Sequence, residues 1–428
     1  MKEDFLHFIW KHKLFRTQSL FTEDGRPIII HKNGVHNHNA GPDFLEASLS
    51  IGEELWLGHV EIHVRASDWN RHGHQHDPAY DNTILHAVYD PDIELYLKTP
   101  GDLPVLDLSK VIELNYYVRY RDLNEKLSGI PCKPALMSVR PITRTAALSR
   151  MVVNRMERKS VAILDRLEQN GGDWSNTLFQ TLAMGFGFKV NAFGFQLMAE
   201  SISFNTLQTV RESRFQIEAL LYGQAGMLDA EFSDSYPREL QNEYSFLRKR
   251  FGLRPINPVV WKKSRLRPTN FPVVRISQLA AALHGTDNIV NSLVNSGDEK
   301  LLTNLFRCEA SSYWAENSDF DVGCKERKTR LGKTSSSGLI INAVVPFAFA
   351  YGTYVNRQSL IDQAFELLEG CQPENNKITR EWASAGWKFE NAQQSQGGIE
   401  LKNEFCANKK CLNCMIGIEL LRTEKLHD

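Results

Sequence analysis

Apolar and polar residues alternate in several short stretches near the start of the chain, which is the pattern of half-buried β-strands. Two of these stretches flank Gly52, Glu53 and Glu54, so they are predicted to pair as a hairpin through that turn. A polar segment at 67–81 separates this hairpin from further strands, and a short amphipathic helix at 3–13 precedes it. The predicted strands are "GRPIIIHKNG", "DFLEASLSIG", "LWLGHVEIHV", "TILHAVYD" and "IELYLK".

After about residue 135, apolar positions recur at helical spacing instead. The longest such segment ends at Gly171 and Gly172, because glycine is favoured just after a helix. Asp173, Asn191 and Asn205 are then predicted to cap the next helices. We find no strict internal repeat in the sequence, so a helical bundle is favoured over a solenoid.

These patterns predict an α/β or α+β N-terminal domain at 1–125 with a small mixed sheet, followed by a large, mainly α-helical domain at 135–428. A Pro-interrupted loop makes 256–275 a candidate boundary within the helical part, which ends in a Cys-rich segment. The length of 428 residues agrees with two or three domains.

The composition is that of a soluble globular protein, with 42% hydrophobic and 24% charged residues and a formal net charge of -1. The N-terminus lacks the apolar run of a signal peptide, and no later stretch reaches the roughly 20 apolar residues of a membrane span. "GLIINAVVPFAFAYG" comes closest and is predicted to be a buried core helix. We therefore expect a cytoplasmic protein without membrane contact.

Charge and histidine are distributed unevenly along the chain. Residues 1–120 carry 11 Lys and Arg against 18 Asp and Glu, whereas residues 133–267 carry 20 against 12. Of the 13 histidines, 11 precede position 90. This pattern agrees with a metal site beside a polyanion-binding surface, and also with a chance asymmetry of solvated helix faces.

Two carboxylates are predicted to meet in the hairpin. Strand alternation places His59, Glu61 and His63 on one face, while the valines and isoleucine between them face the other side. Asp43 follows Pro42 just before the preceding strand, so strand pairing should bring Asp43 close to Glu61. Paired carboxylates suit Mg²⁺ or Mn²⁺, which would lower the pKa of a bound water for phosphodiester hydrolysis.

This layout resembles the PD-(D/E)xK nuclease superfamily, in which an acid after a turn is followed by a hairpin and then by acid-x-lysine. Pro42-Asp43 matches the first part and Glu61-Ile62-His63 the second. The resemblance implies that Asp43 and Glu61 bind the cation, and His63 is the candidate to stand in for the family's catalytic lysine. Histidine replaces the family's lysine, so it could orient the attacking water, ligate a metal or mark a site that no longer cleaves.

The polar segment after the hairpin adds further candidates. Some nucleases of that superfamily place a glutamine and a tyrosine after this strand, and Gln75 and Tyr80 are loosely similar. A rival interpretation is a mixed His/carboxylate site for Zn²⁺, Fe²⁺ or Mn²⁺ that acts on a small molecule. A third is a polar loop whose histidines cap turns. The residues predicted to support the site are His74, Gln75, His76, Asp77 and Tyr80.

Cysteine usage points to a second metal site. Cys406-x4-Cys411-x2-Cys414 has the short gaps of a zinc or iron–sulfur site. Cys371 is predicted as the fourth ligand, and three buried thiols without a metal are the alternative. Other candidates for the fourth ligand are Cys308, Cys324 and His427. The odd total of seven cysteines, without an export signal, argues against a disulfide framework.

Basic runs in the helical part are candidates for nucleic-acid binding, because arginine clamps phosphates and neighbouring aromatics stack on bases. Each run alone also fits a solvated helix face. The residues are Arg248, Lys249, Arg250, Lys262, Lys263, Arg265 and Arg267. "LGKTSSSG" is not a nucleotide loop, since Arg327 stands where the required glycine would be.

Nearly the whole chain, including "HNAGPDFLEASLSI", "GHVEIHVRASDW" and "CANKKCLNC", resembles the bacterial family known as domain of unknown function 2851. That resemblance implies no activity. The leading hypothesis is therefore a metal-dependent nuclease-like protein acting on DNA or RNA. The alternatives are a non-catalytic nucleic-acid- or protein-binding module with a degenerate nuclease core, and a His/carboxylate metalloenzyme acting on a small molecule.

Overall fold

The chain forms two compact units in the computed structural model. The described residues are 1–92, 103–125, 129–284 and 299–423, and the predicted strand "IELYLK" lies outside them. The first unit comprises Met1–Ala147 and Leu401–Asp428, and the second comprises Leu148–Glu400. The Cys-rich segment therefore belongs to the first unit, whereas the sequence assigned it to the helical part.

The first unit is built on a mixed six-stranded sheet, as expected for an α+β domain. The strands are β1 (Ile28–Lys32), β2 (Val35–His36), β3 (Phe44–Ile51), β4 (Glu54–Arg65), β5 (Thr83–Asp90) and β6 (Val105–Asp107). Their order is β1-β3-β4-β5-β6, and β2 pairs with β3. Antiparallel pairing links β1, β3 and β4, whereas β4, β5 and β6 are parallel.

The predicted hairpin is the β3–β4 pair. Ile51 pairs with Glu54, so the turn has two residues and Glu54 already belongs to the strand. Gly52 has a φ of +62°, which glycine adopts without the strain that a Cβ would cause. A bulge between Phe44 and Ala47 shifts the register near the start of β3. This start lies beside the middle of β4, where the candidate acids meet.

Short helices cover the sheet of the first unit. Helix α1 turns its apolar face inward, and Phe5, Ile9 and Trp10 are fully buried. The connection from β4 to β5 is made of short helical turns rather than one long helix. The helices are α1 (Glu3–Lys11), α2 (Asp68–Arg71), α3 (Leu114–Glu125) and Met415–Arg422, with 3₁₀ turns at Thr17–Ser19, His74–His76, Pro78–Tyr80, Leu108–Lys110, Lys133–Ser138 and Cys411–Asn413.

The second unit is mainly helical, as the sequence predicted. Helix α4 (Pro141–Gln169) leads into it, and a small antiparallel pair is formed by β7 (Asn317–Asp319) and β8 (Val322–Gly323). Its other helices are Trp174–Phe186, Phe188–Glu200, Phe204–Val210, Arg214–Gln224, Ser235–Phe251, Pro272–Leu283, Glu299–Leu305, Tyr313–Glu316, Lys333–Leu339, Val345–Tyr354, Gln358–Gly370, Lys377–Ser384 and Ala392–Glu400.

One of the three predicted helix caps is confirmed. Asp173 accepts hydrogen bonds from the first turn of Trp174–Phe186. The prediction for Asn191 is wrong, because this residue lies inside a helix and exchanges two hydrogen bonds with the backbone of Lys262. The prediction for Asn205 is also wrong, because Ser203 caps that helix. The capping preference of asparagine was thus overridden by a tertiary contact at Asn191, and at Asn205 the cap is the hydroxyl of Ser203 instead.

The most apolar helix lies in the core of the second unit, as predicted, but it is longer than expected. Lys333–Tyr354 runs continuously for 22 residues through a π-helical turn at Ile340–Val344. Within the described ranges it alone is long and apolar enough to cross a membrane, judged by length and composition. However, 78% of its most apolar 18-residue stretch is buried inside the protein. The burial agrees with the predicted core helix.

Candidate functional site

The structure brings Asp43 and Glu61 together through two reciprocal hydrogen bonds. The Asp43 amide donates to Glu61 Oε2 at 3.1 Å, and the Ile62 amide donates to Asp43 Oδ2 at 2.9 Å. On the other face of β4, Val60 and Ile62 are fully buried and Val64 is half-buried. Backbone amides of the hairpin therefore hold both carboxyl groups in place.

Three imidazoles cluster beside Glu61, and two of them contact its carboxyl group. His63 is 1% exposed, and its Nε2 lies 3.4 Å from Glu61 Oε1. His74 Nε2 lies 3.2 Å from the same oxygen. His72 Nδ1 lies 3.2 Å from His63 Nε2. One nitrogen from each of these three histidines falls within 4.8 Å of the others. Behind them, the fully buried His86 places Nε2 2.9 Å from His63 Nδ1.

A second group of donors lies next to the first. Glu3, His7 and Asp43 each offer one ligand atom within 4.8 Å of the others. His7 Nε2 lies 3.1 Å from Asp43 Oδ2 and 3.8 Å from Glu3 Oε1. Helix α1 presents Glu3 and His7 on one face because they are four residues apart. Glu61 joins the two groups through its hydrogen bond from the Asp43 amide.

Burial shapes the charge of this centre. It raises the pKa of Glu61, and the adjacent carboxylate of Asp43 raises it further. Burial, followed by the neighbouring histidines with His86 first, lowers the pKa of His63 to about 2. Burial likewise lowers the pKa of His86 to about 3, with His74 adding to the effect. Both imidazoles are therefore neutral near pH 7, and a neutral ring has a lone pair for a metal.

The neutral state of His63 distinguishes it from the lysine of the nuclease motif. A lysine would contribute a positive charge, which an uncharged imidazole does not supply. Moreover, the buried nitrogens His7 Nε2 and His74 Nε2 face the carboxylate oxygens of Asp43 and Glu61 at 3.1 and 3.2 Å. A cation that a nitrogen and its facing oxygen both ligate would satisfy the lone pairs of both atoms. Nitrogen donors with carboxylates suit Zn²⁺, Fe²⁺ or Mn²⁺ better than Mg²⁺, which prefers oxygen ligands.

The predicted supporting residues divide into two groups. Tyr80 stacks on His74 with ring centroids 3.9 Å apart, and burial followed by Glu61 raises its pKa to about 12. Gln75 is half-buried, and its Oε1 forms no hydrogen bond. His76 and Asp77 are exposed. Asp77 caps the turn Pro78–Tyr80 by accepting from the Ala79 amide at 2.9 Å. His59 Nδ1 instead accepts from the Glu46 amide at 3.3 Å.

Four members of the centre were missed as site residues: Glu3, His7, His72 and His86. The i,i+4 spacing of Glu3 and His7 on a predicted helix was a usable signal. No local pattern indicated that α1 would meet the hairpin. The other two were visible in the histidine-rich segment, and only the parallel β4–β5 pairing shows that His86 lies opposite Glu61.

The cysteine segment has a fourth thiol that the sequence did not indicate. Burial raises the pKa of Cys406 well above its ordinary range, and the nearby thiols of Cys132, Cys414 and Cys411 raise it further. Burial, then Cys414, raises the pKa of Cys411 to about 11. Cys371, the predicted ligand, lies in the hydrophobic core of the second unit. Neither compact donor group in the described part of the chain contains a cysteine.

The predicted nucleic-acid-binding residues are all exposed. Arg248, Lys249 and Arg250 form the last turn of Ser235–Phe251. Lys263 pairs with Asp319. The segment from Lys262 to Arg267 follows a single 3₁₀ turn. Exposure suits both a solvated face and phosphate contacts, so nucleic-acid binding stays a prediction.

A family model described as "Protein of unknown function (DUF2851)" matches residues 3–377, so the chain belongs to this family. Neither the curated proteins nor the solved structures contain a significant match. The match covers both the His/carboxylate centre and most of the helical unit, and it ends before the three clustered cysteines.

Proposed function

For this member of the DUF2851 family, we propose a metal-dependent hydrolase that cleaves phosphodiester bonds in nucleic acid. The observation that carries the proposal is the meeting of Asp43 and Glu61 beside three converging imidazoles. The acid, two-residue hairpin and second acid follow the order of the PD-(D/E)xK motif. The three imidazoles are not part of that motif, and their nitrogen donors favour a transition-metal ion over Mg²⁺.

The ligands would come from His63, His72, His74 and Glu61. A divalent cation held there supplies a nucleophile from water near neutral pH and offsets charge on a phosphoryl oxygen. Mn²⁺ accepts both imidazole and carboxylate ligands, so it is the ion to test first. Glu3, His7 and Asp43 form a second donor set that fits an additional cation, as in hydrolases with two metal ions.

His86 would act as a positioning residue. If His63 Nε2 binds a cation, its proton must sit on Nδ1 and is donated to His86 Nε2 at 2.9 Å. The buried hydrogen bond then holds the ring of His63 in a single orientation. The Ile62 amide does the same for Asp43 by donating to Oδ2. The centre is thus preorganised by contacts within the hairpin and β5.

A cleavage assay with metal-depleted protein tests this function. The assay follows cleavage of bis(4-nitrophenyl) phosphate and of labelled single- and double-stranded DNA and RNA, with Mn²⁺, Mg²⁺, Zn²⁺ or Co²⁺ added. Asp43→Asn, Glu61→Gln and His74→Ala should each abolish cleavage. His31→Ala is the matched control, because this exposed histidine lies on β1 and bonds only to Ser50 among the described contacts.

Three results would separate the hypotheses. Cleavage that requires Mn²⁺ and all three residues supports the proposal. Binding of nucleic acid without cleavage in any metal would favour the degenerate binding module. Metal uptake with cleavage of small phosphate or carboxylate esters, but not of nucleic acid, would favour the small-molecule metalloenzyme, which the imidazole-rich donor set also suits.

We also propose a metal centre at the cysteines, with Cys132 as the fourth ligand in place of Cys371. A tetrahedral zinc ion with bonds of about 2.3 Å draws thiolates to within roughly 4 Å of each other. No three of these sulfurs lie within 4.8 Å of one another in the described residues, so an iron–sulfur cluster fits better. Elemental analysis and the visible spectrum should show iron in the wild type and its loss in Cys132→Ser, with Cys324→Ser as control.

A further inference from the structure

The second unit contains a cavity of about 730 Å³ that the proposed hydrolase does not use. This volume lies in the range of small-molecule sites. Apolar side chains, including Ile163, Met184 and Pro346, form much of its wall, while Lys159 and Arg166 of helix α4 project cationic groups into it. The cavity therefore combines an apolar body with positive charge.

Neither cation forms an ion pair within the described residues. Lys159 Nζ donates to Asn342 Oδ1 at 3.0 Å. Arg166 donates to Thr181 Oγ1 at 3.3 Å and lies 2.8 Å from Met184 Sδ. All of these partners are neutral. Burial lowers the pKa of both groups, that of Lys159 to about 7, because a charge in this site is poorly solvated.

Two other cationic side chains of helix α4 do form direct ion pairs, unlike Lys159 and Arg166. Arg155 and Arg158 share the buried carboxylate of Glu400 at 3.0 and 2.7 Å. Glu374 also lines the cavity, but its two oxygens accept from Asn342 Nδ2 at 3.0 Å and from a glutamine amide at 2.9 Å. The protein thus pairs two arginines of α4 directly with a carboxylate. The two cations at the cavity bond directly to amide, hydroxyl and thioether groups, and they feel the charges of Glu374 and Glu200 only at longer range.

The cavity wall also contains two irregular backbone features. Phe188 has a φ of +48°, a left-handed conformation that is costly for an aromatic residue. Asn342 lies in the π-helical turn Ile340–Val344, and such turns are frequent at functional sites. The Asn342 amide group donates to the backbone oxygen of Gly338 and to Glu374, which leaves its oxygen for Lys159.

We propose that this cavity binds a small organic anion with an apolar body, either a carboxylate or a phosphate monoester. Lys159 and Arg166 neutralise its charged group, and the apolar wall covers the remainder. Both cations are half-buried and form no direct ion pair. An anion that contacts them directly therefore gains more affinity here than at the fully solvated surface. This site is independent of the hydrolase centre.

Calorimetric titration of the full chain tests the site with matched pairs of probes. Octanoate is compared with 1-octanol, and phenyl phosphate with phenol, so that each pair shares its apolar body and differs in the anionic head group. We expect each anion to bind at least about 10-fold more tightly than its neutral partner, as for a charge-assisted hydrogen bond. Acetate and inorganic phosphate, which lack the apolar body, should bind more weakly than the corresponding larger anions.

Variants locate the binding. Lys159→Gln and Arg166→Gln should each weaken the preferred anion on the order of 10-fold, whereas Arg254→Gln, at an exposed position of the same unit, should not. Gly338→Leu leaves the charges intact and adds an apolar side chain to the cavity wall, because a Cβ at this glycine meets no atom within 4 Å. It should weaken binding even if the charge variants fold poorly. Equal binding of anions and neutral probes, or full binding to Gly338→Leu, would overturn the proposal.

Discussion

Replacing Glu400 by glutamine is expected to destabilise the second unit by about 3 kcal/mol. The glutamate is 2% exposed, and its Oε2 contacts Arg155 at 3.0 Å and Arg158 at 2.7 Å. Arg155 is 9% exposed, so it would become a buried charge without a counterion. Breaking such a pair from one side costs roughly 3–5 kcal/mol.

The lower end of that range applies here for two reasons. The Arg158 side chain is 51% exposed, so water replaces much of its lost contact. Glutamine also keeps one acceptor oxygen for the buried Arg155. Glu309→Gln is the matched control, because its pair with Arg330 has the same 3.0 Å distance but side chains that are 50% and 56% exposed. We expect the control to cost less than about 1 kcal/mol.

Urea unfolding followed by far-UV circular dichroism measures both costs, since the helical unit dominates that signal. Burial opposes ionisation of Glu400, but its hydrogen bonds to Arg158 and Arg155 lower its pKa overall. Its stabilising contribution is therefore complete above the unfolded pKa of about 4.3 and is lost as the pH falls through the lower folded pKa. The reasoning is wrong if Glu400→Gln costs no more than Glu309→Gln at pH 7.

Three further substitutions test other parts of the structure. Gly58→Ala would place its Cβ 2.4 Å from the backbone oxygen of Asn82, so we expect β4 to move away from β5. The free energy of unfolding, measured by thermal denaturation, should fall by about 1–3 kcal/mol. Titration with Mn²⁺ should show weaker uptake of the ion. Gly223→Ala would place its Cβ 2.0 Å from the ring of Tyr244; a similar cost should appear in urea, and an unchanged midpoint would contradict the packing. Burial and the adjacent aspartate raise the pKa of Glu61, so folding disfavours the charge of this side chain. After chelator treatment, Glu61→Gln should therefore have a melting temperature equal to or above that of the wild type. A lower melting temperature would refute this.

Local rules predicted the scaffold of the candidate site. Alternation indicated both strands of the hairpin, and the turn residues indicated their pairing, so the closeness of Asp43 and Glu61 followed from sequence. The presence of His7 in the same centre did not follow. Its spacing from Glu3 is local, but the packing of α1 against the sheet depends on tertiary contacts that no short window contains.

The cysteines show the same limit. Short gaps grouped Cys406, Cys411 and Cys414 because they lie on one continuous segment, and their binding of a metal stays a prediction. The choice of a fourth thiol depended on the fold. Nearness in sequence favoured Cys371, whereas the structure places Cys132 near Cys406 and Cys371 in the core of the second unit.

The first unit is discontinuous, since Leu148–Glu400 interrupts it. During synthesis, the interrupting unit emerges complete from the ribosome before the cysteine segment that finishes the first. The usual order of N-terminal domain first is thus reversed for part of this chain. The two acids and their histidines are made early, yet their unit waits for its last residues. A nascent chain that has exposed residues 148–400 but not 401–428 would therefore carry the whole helical unit beside an incomplete first unit.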